Sequence, residues 1–89
     1  MKKQLNFTFL NLKTLFIPTT YFMNLNLEEF DKLIMKTREH TLDFHMSEMD
    51  YARLIDHCDV SEKPFPQAPG PNYEFVYFGV LCQIYITHP

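Results

Sequence analysis

Residues 73–87 read YEFVYFGVLCQIYIT, and the way this stretch folds decides the architecture of the chain. Ring-bearing and β-branched side chains dominate it, the types that suit a pleated, half-buried surface. Along one extended chain, Val76, Phe78, Val80, Cys82, Ile84 and Ile86 fall on one side, and Phe75, Tyr77, Leu81 and Tyr85 on the other. The stretch is long for a single strand, and Gly79 offers a bulge or a tight turn. The reading is therefore two antiparallel strands, Tyr73–Phe78 and Leu81–Ile86. A two-stranded ribbon is marginal alone, so another part of the chain must cover it.

Two upstream segments supply that cover. Residues 25–30 and 46–51 each place an apolar residue before a capping residue, an acid three positions on, and then a second apolar residue. Asn26 and Ser47 can accept from the N–H groups that a first helical turn leaves unpaired, with Glu29 or Asp50 reciprocating. Leu25 with Phe30, and Met46 with Tyr51, are placed as hydrophobic staples. The first helix carries Leu27, Phe30, Leu33 and Ile34 at helical spacing and is expected to reach about Glu39 or His40. The second carries Tyr51, Leu54, Ile55 and Cys58. Between them, Leu42, Phe44 and Met46 alternate through an extended connector or brief strand, which makes the helices antiparallel or crossed neighbours.

Pro64, Pro66, Pro69, Gly70 and Pro71 make residues 60–72 a stiff turn-rich loop that ends the helical half. Lys63-Pro64-Phe65-Pro66-Gln67-Ala68-Pro69 also fits the basic polyproline form taken by SH3-type grooves, although a stiff loop explains it as well. Residues 1–22 form an N-terminal extension with three readings. It can be an edge strand built on Leu5, Phe7 and Phe9, a disordered leader, or the product of a start assigned upstream of Met23. Its residue types favour A/T-rich codons. A secretory signal fits poorly, because Asn6, Asn11 and Lys13 interrupt the apolar run. The expected fold is α+β: two short helices packed on a C-terminal antiparallel hairpin, with an N-terminal strand as an optional addition. Residues 23–89 form the single small domain.

Composition narrows the function. Eighty-nine residues leave little room for a catalytic cleft with its supporting shell. Residues 23–89 hold eleven acids against five basic side chains, a formal −6, while residues 1–22 hold three lysines and no acid. Such a balance disfavours direct nucleic-acid binding and suits a protein partner with a basic surface. Cys58 and Cys82 have no metal-type spacing and read as reduced thiols of a cytoplasmic protein. No phosphate loop or dinucleotide fingerprint is present, and neither a membrane span nor a catalytic set is evident.

The sequence thus points to a small acidic protein-interaction module without catalysis or cofactor. Its size and codon bias suit a phage or mobile-element accessory or inhibitor protein that binds a host protein. The expected docking residues are Phe75, Tyr77 and Tyr85, with Asp50 and Asp56 supplying charge. One alternative is a zinc-stabilised domain using His40, His45 and either His57 or Cys58. Another is a homo-oligomer that buries the ribbon edge against its own copy.

Overall fold

The computed structural model describes residues 17–88. Five strands and two helices follow in the order β1 (Thr19–Tyr21), α1 (Leu27–Lys36), β2 (Thr41–Ser47), α2 (Glu48–Cys58), β3 (Lys63–Pro64), β4 (Asn72–Tyr77) and β5 (Val80–Thr87). The sheet order is β1-β2-β5-β4-β3. β1 with β2, and β2 with β5, are parallel; β4 pairs antiparallel with β5 and with β3. The fold is α+β, but its sheet is mixed and five-stranded where a simple hairpin was expected.

Both helices begin where their caps predict. Asn26 Oδ1 accepts from Glu29 N–H at 3.0 Å, and Ser47 Oγ from Asp50 N–H at 3.1 Å. Leu25 and Phe30 are both buried in the core, as a staple requires. Asp50 does not complete a capping box. Its carboxylate turns to Leu25 N–H at 3.2 Å and to Arg53 at 3.4 Å, so it ties the start of α2 to the segment that enters α1. Helix α1 stops at Lys36, short of the expected Glu39. Thr37 adopts an extended backbone there, and its hydroxyl accepts from Glu39 N–H at 3.1 Å. This local bond competes with further helix.

The largest departure from the sequence reading is β2. The alternating Leu42, Phe44 and Met46 belong to a seven-residue strand seated between β1 and β5, paired with β5 along its whole length. The two helices are therefore crossovers joined by a core strand where a connector was expected, and they lie side by side, with His57 of α2 meeting Asp31 of α1 at 2.9 Å. The step from β1 to β2 and the step from β2 to β3 run the same way across the sheet, so crossovers of one hand place both helices on one face. Burial agrees. Phe30, Ile34, Tyr51, Leu54 and Cys58 of the helices form one core with Leu42, Phe44, Met46, Phe75, Cys82, Ile84 and Ile86 of the sheet. Phe44 lies at its centre, fully buried, with its ring 5.0 Å from Phe30 and 5.9 Å from Phe22.

Strand β1 pairs with β2 from within the segment read as an N-terminal extension. The strand suggested by Leu5, Phe7 and Phe9 lies outside the described residues. Among the described residues, no helix is long and apolar enough to cross a membrane.

The β4–β5 turn is tight. Phe78 and Gly79 take φ of +49° and +78°, so both central residues are left-handed, as in a type I′ turn. Glycine accepts this readily, but a bulky aromatic does not. The Phe78 ring remains largely exposed and meets Tyr77 edge-on. Phe78→Asn is therefore expected to raise stability by up to about 1 kcal/mol, since Asn-Gly suits this turn. Thermal denaturation checks it; a lowered melting temperature would show that the exposed ring contributes more than the turn costs.

Candidate functional site

With both helices on one side, the other side of the sheet carries no helical layer among the described residues. Its side chains follow from register. Thr41, Asp43, His45 and Ser47 alternate with the buried residues of β2, and Leu81, Gln83, Tyr85 and Thr87 do the same on β5. Cross-strand pairing orders them in rows. Tyr21, His45, Tyr85 and Asn72 make one row, and Thr19, Asp43, Gln83, Glu74 and Lys63 the next. A third holds Thr41, Leu81 and Val76.

The first row is a ring stack. Tyr21 and His45 lie 4.3 Å apart between ring centroids, and His45 and Tyr85 lie 4.7 Å apart, with interplanar angles of 21° and 12°. These separations match the ~4.8 Å strand spacing, as expected when rings stand upright at paired positions on three adjacent strands. Phe65 closes one end, edge-on to Tyr85 at 5.5 Å. At the other end Tyr21 is 71% exposed. The rings show their edges to solvent, forming a ridge rather than a flat platform.

Asp43 sits beside this ridge. Its Oδ1 is screened from solvent and has no hydrogen-bond partner among the described residues. Burial pushes its carboxyl above the usual range, against the opposing pull of His45 and the Tyr85 hydroxyl. The Tyr85 hydroxyl is itself pushed up by burial and by the nearby Asp43 carboxylate.

The docking residues expected from sequence do not share one surface. Tyr85 stands on the open face. Phe75 is buried beneath the helices, and Tyr77 packs on the same side, 5.9 Å from Phe30, with its hydroxyl donating to Asp31 at 2.9 Å. The cause is the two-residue turn. Tyr77 pairs with Val80, so odd positions of β4 share a face with even positions of β5. Parity counted along one continuous chain reverses across that turn. Asp50 is buried at the helix junction, and Asp56 is exposed on α2. Tyr21, His45, Asp43 and Phe65 were missed. The alternation of residues 41–47 was the available signal, because it makes His45 an outward residue once the segment is a strand.

The residues of the zinc alternative are dispersed. His45 is on the open face, while His57 pairs with Asp31 at 2.9 Å on the helical side. Cys58 is buried, and His40 precedes β2 in the exposed connection. No group of three or more His, Cys, Asp or Glu side chains among the described residues is arranged to hold a metal ion.

Neither thiol is poised as a nucleophile. Burial, then the nearby Asp31 carboxylate, pushes Cys58 up to about 12, and burial does the same to Cys82. At pH 8 both are expected to resist a thiol-reactive dye until the chain is unfolded, which a labelling time course across a denaturant series checks. Rapid labelling of the native chain would contradict the packing. The raised values also carry a sign for stability. The unfolded thiols ionise first, so their contribution falls as pH rises from 9.0 toward about 12.

No family model matches this chain, and comparison with curated proteins and with solved structures finds no similar one.

Proposed function

We propose that this chain is a protein-interaction module without catalysis of its own, which docks a basic protein surface on its uncovered sheet face. The observation that carries this reading is the Tyr21–His45–Tyr85 ring stack on the face opposite the helices. Aromatic ridges supply large contact area at low entropic cost and are favoured as binding anchors. Charge supplies the choice of partner. The described residues carry eleven acids and five basic side chains. An accessory or inhibitory role on a host protein suits these features.

The test is capture from the source cell with three baits: the parent chain, Tyr85→Lys, and Met35→Ala on the exposed side of α1. The reading expects a protein retained by the parent and by Met35→Ala but lost with Tyr85→Lys. Equal retention by all three baits would reject the open face as the docking surface.

A further inference from the structure

A separate concavity of about 260 Å³ lies on the helical side, between α2, the segment that leaves it, and the paired ends of β4 and β5. Glu48, Tyr51 and Ile55 line it from α2, Glu62 from the following segment, and Tyr73 and Ile86 from the sheet. Tyr51 and Tyr73 are stacked, with ring centroids 5.0 Å apart and planes at 8°. The Tyr51 hydroxyl donates to the Glu62 carboxylate and so holds that acid at the pocket wall.

We infer that this pocket receives an arginine side chain from a partner protein. The inference rests on the reading of a basic partner but uses a different surface from the aromatic row. Size is the first argument, since the volume falls below the roughly 300 Å³ at which drug-sized ligands fit. A single long side chain suits it. The second is the lining: two carboxylates, two tyrosine rings and two isoleucines. A cation with an apolar stem matches all three, its stem lying on the isoleucines and rings and its head meeting the acids. Guanidinium matches better than ammonium, because its plane stacks on rings and its fork pairs with carboxylate oxygens.

Charge complementarity is the third argument. From Glu48 to Glu62 the chain has five acids and a single basic residue, Arg53. Arg53 is already committed to Asp50 and to the Leu25 carbonyl at 3.1 Å. Glu48 and Glu62 form no ion pair with any described residue. The pocket therefore presents net negative charge around an apolar floor.

The test titrates the full chain, labelled at isoleucine methyls and aromatic rings, with Gly-Gly-Arg-Gly-Gly and with its citrulline counterpart. Citrulline keeps the shape of arginine without the charge. The arginine peptide is expected to shift Ile55, Ile86 and Tyr73, and the citrulline peptide to leave them unmoved. Glu48→Gln and Glu62→Gln should each weaken binding by about fivefold, the effect of a partly exposed ion pair. Glutamine at 62 keeps an acceptor for Tyr51, and position 48 is exposed, so both variants should stay folded. Equal shifts from both peptides, no shifts, or unchanged binding in the two variants would each overturn the inference. Shifts at Tyr21 and His45 instead would place the cation on the open face, refuting this pocket while leaving the proposed function intact.

Discussion

Phe44→Ala is expected to destabilise the chain by about 3–5 kcal/mol, the usual cost of truncating a fully buried phenylalanine. Phe44 is completely buried on a strand with neighbours on both sides, and its ring meets those of Phe30 and Phe22. Truncation there removes contacts with a helix and with the β1–α1 connection together. A small domain has a total stability of roughly 5–15 kcal/mol, so the loss consumes a large share of it. The melting temperature should fall by roughly 15–30 °C, given the few degrees per kcal/mol typical of this size. Thermal denaturation followed by circular dichroism checks this. A fall of only a degree or two would mean that β2 does not occupy the middle of the core.

Tyr85→Lys is expected to leave the fold standing and to abolish docking. Tyr85 faces away from the core, and a lysine in its place has Asp43 close by as a counter-charge. The melting temperature should therefore stay within a few degrees of the parent. Binding to the captured partner should weaken by about 100-fold or more, as when a central aromatic anchor is removed from an interface. The new charge adds repulsion against a basic partner. Titration calorimetry of parent and variant reads this directly. Retained affinity would mean that the ring stack is only a consequence of strand register.

Local chemistry was legible in the sequence. The caps at Asn26 and Ser47 were readable because an N-cap depends on residues within one turn. The β4–β5 hairpin was readable for a similar reason, since its partners are adjacent in the chain. β2 was not, because its main partner, β5, lies some forty residues away and parallel pairing leaves no turn to announce it. Seven alternating residues between two helices resemble a connector until that distant strand is known. The docking residues were assigned to one surface for a more specific reason. The pair Phe78–Gly79 exchanges odd and even positions between β4 and β5, sending Phe75 and Tyr77 inward and Tyr85 outward. Asp50 was misread because an acid at the third helical position usually serves its own helix. Here it reaches Leu25, 25 residues upstream.

The account depends on a sheet that, among the described residues, carries helices on one side only. Two neighbouring residues of β5 test it most directly, through thermal denaturation of Ile84→Lys beside Tyr85→Lys. Ile84 is fully buried against the helices, whereas Tyr85 is half-buried on the opposite face, in the ring stack. The account predicts that Ile84→Lys fails to fold and that Tyr85→Lys melts cooperatively near the parent temperature. Two unfolded variants, or two folded ones, would contradict it.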